Sequence, residues 1–133
     1  MITAENATKR FGSITAVDHV CAEVRDGSVY GLIGSNGAGK STFLRMLAGI
    51  LSPDEGAVRI DGADIFENVA IKARFFFISD EQFFFPNSTP AEMKNYYKRF
   101  YRYFDEARYH KLMDGFGLDE NRKIRTFSKG MKK

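Results

Sequence analysis

No run of apolar residues in this 133-residue sequence reaches the ~18–20 that a helix needs to cross a bilayer. Phe75–Ile78 and Phe83–Phe85 come nearest, and Ser79, Asp80, Glu81 and Gln82 lie between them. If the chain serves a membrane process, the spanning part belongs to another chain or lies beyond Lys133. A single cysteine, Cys21, excludes an internal disulfide, so nothing points to an oxidising compartment. Its place in an alternating stretch makes it a small core residue. The first residues show no charged stretch followed by an apolar run, so no secretory signal is expected. Internal repeats and low-complexity linkers are absent too. A net charge of +3 is too small to argue for a nucleic-acid partner. The basic excess gathers in the second half (Lys94, Lys98, Arg99, Arg102, then Lys123 to Lys133), where it either serves anionic ligands or solvates helices. The Asn-x-Ser/Thr matches at Asn6 and Asn87 read as chance.

What is present describes an ordinary globular chain, with 44% hydrophobic and 28% charged residues. Residues 1–33 read as strands, with Val17, Val20, Ala22 and Val24 irregularly spaced and a turn at Asp26-Gly27. Val29 to Ile33 is a short continuous apolar run, the pattern of a strand buried on both faces of a parallel sheet. Ser41–Leu51 has Phe43, Leu44, Met46, Leu47 and Ile50 at helical spacing, with Pro53 and Gly56 as stops. Ala57–Ile60 and Ala63–Ile65 flank Asp61-Gly62 as a hairpin, and Arg74–Ser79 reads as a further strand. The pattern then turns helical. Thr89, Pro90 and Glu92 compose a capping box with proline at the first helical position. Met93, Tyr96, Tyr97, Phe100, Tyr101 and Phe104 follow as an amphipathic stripe, read as packing surface. A second helix is expected from Asp105 to Phe116, ended by Gly117.

Residues 34–41, Gly34-Ser35-Asn36-Gly37-Ala38-Gly39-Lys40-Ser41, fit GxxxxGK[ST], and Thr42 follows. A loop that wraps a phosphate chain must offer backbone N–H groups, which requires positions without an obstructing Cβ. The helix beginning near Lys40 aims its positive end at the anion. Lys40 supplies a full charge to the β- and γ-phosphates, and the Ser41 hydroxyl is a Mg²⁺ ligand. The bland alternative is a structural turn. The location between an apolar run and an amphipathic helix favours the phosphate reading.

Four features in order resemble the ABC ATPase family and cover essentially the whole chain. Arg10-Phe11-Gly12 with Ala16-Val17 resembles the family's aromatic loop, in which a ring stacks on adenine. The resemblance gives Phe11 that role and puts Val17 beside the nucleotide; without it, Phe11 reads as a strand core residue. GSNGAGKST is close to the family's phosphate loop at every position. Residues 75–89 resemble the loop that senses the γ-phosphate and meets the membrane partner, but the position usually held by glutamine falls on Asp80. The resemblance therefore assigns the Mg²⁺- or water-contacting role to Asp80, with Gln82 as fallback; the alternative is a solvated turn at 80–82. Phe127-Ser128-Lys129-Gly130-Met131 resembles the LSGGQ signature. There Ser128 and the Gly130 amide would contact ATP held by the other subunit, while Lys129 and Met131 depart from the pattern.

The resemblance implies a partial α/β P-loop NTPase core with an N-terminal antiparallel β subdomain and a small α-helical subdomain. The expected division is 1–88 and 89–133. It further implies ATP and Mg²⁺ as cofactors, a separate transmembrane permease as partner, and a head-to-tail dimer with itself or a related ATPase subunit. The place would be cytoplasmic, at the inner face of the cell membrane. The aromatic loop Phe83–Pro86 and the helix after Met93 would meet the permease. A soluble ABC ATPase of translation or DNA repair, or an unrelated P-loop kinase, are the other readings. The family's Mg²⁺ aspartate, water-activating glutamate and switch histidine follow the signature, and the sequence stops at Lys133. This polypeptide alone is therefore expected to turn over little ATP, to expose apolar sheet edges and to be poorly soluble or molten.

Overall fold

The computed structural model describes residues 1–79 and 82–132. They form two compact units, Met1–Phe77 and Ile78–Lys133. The expected boundary after residue 88 marks instead the start of a helix inside the second unit.

In the first unit, β1 (Ile2–Phe11) and β2 (Ile14–Val24) make a long antiparallel hairpin. The other edge of β1 pairs with β3 (Glu55–Ile60), which turns at Asp61-Gly62 into β4 (Ala63–Asp64), giving the order β2-β1-β3-β4. This is the expected antiparallel β portion. The uneven spacing of Val17, Val20, Ala22 and Val24 comes from a slip in register. Ala7 faces Val20, but Lys9 faces Val17, so β2 changes its inward parity between them. His19 takes up the slip at φ 45°, and its N–H donates to Oγ1 of the fully buried Thr8 at 3.0 Å. With Val20 and Ala22 turned inward, Cys21 is turned out. It is exposed, its Sγ donating to Asn6 Oδ1 at 3.3 Å, which corrects the expectation of a core cysteine.

Helix α1 (Lys40–Leu47) lays Phe43 and Met46, three residues apart, against the sheet. They close a core with Ala4, Ala7, Val17, Val58, Ile60 and Ile65. Each of the larger of these side chains, from valine upward, gains about 1.5–3 kcal/mol from burial. The helix ends sooner than the apolar pattern suggests. Gly49 adopts φ 61°, where an added Cβ would sit 2.9 Å from the Ile65 carbonyl oxygen, so the chain leaves the helix there rather than at Pro53.

Two expected strands do not form. Val29 is fully exposed and Ile33 96% exposed, with only Leu32 of that run packed against the core. Residues 74–79 are likewise irregular, and Phe75 alone packs on the core. An apolar run becomes a strand only when a neighbouring backbone takes its N–H and C=O groups. Among the described residues, no strand pairs with either segment. A short helix α2 (Val69–Lys72), which the sequence reading missed, precedes the second of them. Asn68 Oδ1 caps it by accepting from the Ile71 amide at 3.1 Å.

The second unit holds α3 (Pro90–Tyr97) and α4 (Glu106–Gly115), followed by a 3₁₀ turn at Ile124–Thr126. The capping box is present: Glu92 N–H donates to Thr89 Oγ1 at 3.2 Å, and Thr89 N–H to Glu92 Oε2 at 2.8 Å. Asp105 caps α4, and Gly117 follows its end with φ 61°, as expected. Helix α3 stops at Tyr97, although the aromatic stripe runs on to Phe104. Past Tyr97 the chain tightens into i→i+3 turns, Phe100 N–H to Tyr97 O at 2.9 Å and Phe104 N–H to Tyr101 O at 3.1 Å. Aromatic residues hold a helix weakly, and Glu106 draws Lys94 and Lys98 together across the corner. Met93, Ile124 and Phe127 are buried, beside an apolar cavity of about 600 Å³ lined by Tyr97, Leu112 and Phe116 among others.

Candidate phosphate-binding site

The loop from Gly34 to Gly39 curls back on itself. An added Cβ at Gly34 would touch the Ala38 Cβ at 3.4 Å, so the two ends of the loop nearly meet. The Ala38 N–H donates to the Ser35 carbonyl at 3.3 Å. Lys40 closes the ring: its ammonium donates to the carbonyls of Gly34 at 2.7 Å and Ser35 at 2.6 Å. The lysine thus points over the loop and not into the apolar core, where Phe43 and Met46 sit one turn along. Ser35, Asn36, Gly37, Ala38 and Ser41 are exposed, and Thr42 is half-buried.

The helix behind the loop is open at its positive end. Gly39 occupies the N-cap position with φ 80°, no side chain caps α1, and no acidic residue lies in its first turn. Orphan first-turn amides and the helix dipole both favour an anion at such an end. The loop is pinned from beneath by β2. An added Cβ at Gly39 would stand 2.0 Å from the Ala16 carbonyl oxygen and 3.6 Å from Val17 Cγ2, so only glycine fits. Val17 is 5% exposed and belongs to the core, where it supports the loop from below.

The same hairpin carries Phe11. It pairs with Ile14 at the hairpin end, and Thr15, Ala16 and Val17 lead from there to the base of the loop. The ring is half-exposed, with Lys9 Nζ 5.9 Å from its centroid. Lys9 is tied to Asp54 at 2.7 Å, and Asp54 also accepts from the Arg10 amide. The Lys9 and Arg10 contacts hold the Asp54 carboxyl below its usual range. The hairpin end is therefore clamped to the start of β3, which holds the ring in place. This anchor was not read from the sequence; a carboxylate after Pro53, opposite two basic residues, was the available signal.

Asp80 lies outside the described residues. Among the described residues no group of three or more His, Cys, Asp or Glu side chains could hold a metal by themselves. The hydroxyl of Ser41, at the first turn of α1, suits one ligand of a cation bound through phosphate oxygens. Gln82, Ser128 and Gly130 belong to the second unit. Gln82 is half-buried. Ser128 begins a turn, its Oγ accepting from the Met131 amide at 3.3 Å and its carbonyl from the Lys132 amide at 3.2 Å. Phe127 anchors that turn in the unit's core, while Gly130 is exposed with open space around it. The cavity of this unit is lined mainly by apolar side chains, with Lys94, Gly130 and Lys132 also on its wall.

A family model described as ABC transporter matches residues 17–133. ABC transporter ATP-binding protein NatA of Bacillus subtilis is 35% identical, with 99% of this chain and 58% of that protein covered. The probable sulfate/thiosulfate import ATP-binding protein CysA of Chlorella vulgaris is 41% identical over 68% of this chain and 39% of its own length. The chain thus spans about half the length of the relatives it matches. Among solved structures, the ATP-binding subunit of an ABC transporter superposes with a TM-score of 0.85 at 26% identity, covering 99% of this chain and 57% of that one. A dimeric ATP-binding cassette, in a post-hydrolysis state bound to ADP and Pi, shares the fold at a TM-score of 0.77 and 24% identity, over 99% and 65%.

Proposed function

This chain belongs to the ABC transporter family, and on that premise we propose that it forms the ATP-binding front of a transporter's energising subunit. The observation that carries the proposal is the curled 34–39 loop, with Lys40 arched over it and an uncapped helix start behind. The amides of Gly37 to Thr42 would cradle the phosphate chain. Lys40 would exchange its two loop carbonyls for β- and γ-phosphate oxygens. Ser41 would hold the Mg²⁺ that shields those charges, and a metal- or water-contacting role would fall to Asp80, with Gln82 as fallback. Phe11 would stack on the base; stacking reads no hydrogen-bonding edge, so the site would accept other purine triphosphates as well.

Ser128 and Gly130 would approach ATP held by a second subunit, in a head-to-tail pair of this chain or a related one. The aromatic segment 83–86 and α3 would receive a membrane permease at the cytoplasmic face. Titration with a fluorescent ATP analogue, with inorganic triphosphate as competitor, tests the reading. Lys40→Ala should weaken both ligands by on the order of tenfold to a hundredfold, as loss of a charge-assisted contact does. Phe11→Ala should weaken ATP by about fivefold or more and leave triphosphate unchanged. Equal affinity in wild type and Lys40→Ala would reject the site.

A further inference from the structure

The corner between α3 and α4 carries side chains that neither the core nor the nucleotide site uses. Its sequence runs Lys98-Arg99-Phe100-Tyr101-Arg102-Tyr103. Phe100 is 66% exposed and Tyr103 84% exposed, and Arg99 and Arg102 are exposed beside them. Phe100 meets the Tyr96 ring at 5.1 Å and leaves most of its surface open. The lysines nearby are paired: Lys94 at 2.9 Å and Lys98 both donate to the single Glu106 carboxylate. Arg99 and Arg102 have no ion-pair partner among the described residues. Two open rings and two uncompensated guanidinium groups therefore share one tight corner, held by the i→i+3 bonds that follow α3.

We propose that this corner, residues 99–103, rests directly on an anionic lipid surface, with Phe100 and Tyr103 in the headgroup layer and Arg99 and Arg102 on lipid phosphates. Tyr103, a ring with a polar edge, prefers that layer, and Phe100 buries apolar surface at the headgroup/acyl boundary. An anionic leaflet attracts basic side chains, at on the order of fivefold in partitioning for each. Charge complementarity selects this occupant over an apolar protein surface, which would leave both guanidinium groups buried and unpaired. Single-stranded nucleic acid also meets rings and cations, but it needs a groove that tracks a backbone, and this corner is a brief turn of a few residues. The contact goes beyond nucleotide binding and stands independently of it.

Co-sedimentation of the full 133-residue chain with vesicles tests the proposal. Phosphatidylcholine vesicles are compared with vesicles that also contain phosphatidylglycerol. The chain should bind the anionic vesicles and not the neutral ones, with binding falling as salt rises. Arg99→Gln with Arg102→Gln should cut binding about twenty-five-fold, as two such charges imply. Phe100→Ser with Tyr103→Ser should reduce it several-fold. All four side chains are exposed and outside the nucleotide site, so the variants should bind the ATP analogue as the wild type does. Equal binding to both kinds of vesicle, or undiminished binding in both double variants, would overturn the proposal. So would loss of binding in Val29→Ser with Ile33→Ser alone, which would trace it to the exposed apolar run instead. Tight binding of a single-stranded oligonucleotide that the arginine changes abolish would reassign the corner to nucleic acid. A chain that binds vesicles but not ATP would fail the nucleotide reading while leaving this one intact.

Discussion

A methyl group added at Gly39 would lie 2.0 Å from the Ala16 carbonyl oxygen, a distance that backbone must move to relieve. The residue also sits at φ 80°, where a side chain is strained by about 1–3 kcal/mol. Gly39→Ala should therefore lift the loop off β2 and abolish nucleotide binding, with the β hairpin intact by circular dichroism. Gly37→Ala, at φ 84° but in open space, should cost binding much less. Calorimetric titration of the two variants distinguishes packing from strain; equal losses would refute the packing account. The glycine string was legible in the sequence as a phosphate loop, but its reason at Gly39 was not, because Ala16 is distant along the chain. Cys21 was misread for a related cause. The register slips along the hairpin, among them the one His19 takes up, change which side chains face the core, and period-two reading has no means to see them.

Elements declared by local chemistry were readable: the Thr89 capping box, the Asp105 cap and the Asp61-Gly62 turn all depend on neighbours within a few residues. Elements that depend on distant partners were not. The runs 29–33 and 74–79 have strand composition, yet no described strand pairs with them. Helix α3 was drawn too long because a stripe of rings continues through turns as readily as through helix. In the α3–α4 element, Lys98 and Lys94 hold Glu106 down to about 2 from a usual 4.5. A carboxylate depressed on folding contributes stability that is full above its unfolded value and is lost as pH falls from 4.5 toward 2. Burial, with Glu120 nearby, pushes the Tyr109 hydroxyl up to about 12 from 10. A phenol raised on folding contributes stability below pH 10 that is lost as pH climbs toward 12. Thermal melts across pH should therefore decline at both ends. Glu106→Gln should flatten the acid limb and Tyr109→Phe the alkaline one; an unaltered acid limb in Glu106→Gln would exclude the lysine pair as its cause.

At the scale of the molecule, the chain forms two compact units. The first carries the phosphate loop, the Phe11 ring and the β2 support; the second carries the Ser128 turn and the aromatic corner. The partial nucleotide-binding architecture was legible because its motifs stand in order along the chain. The share of apolar surface left open at Val29 and Ile33 appears only when the fold is assembled. Membership in the ABC transporter family and the curled loop converge on one claim, that Lys40 and the amides around it wrap a triphosphate. Hydrogen exchange with and without Mg²⁺-ATP tests it most directly. The amides of residues 34–42 should gain protection in the wild type and none in Lys40→Ala. Protection confined to the second unit, or equal protection in the variant, would contradict the account.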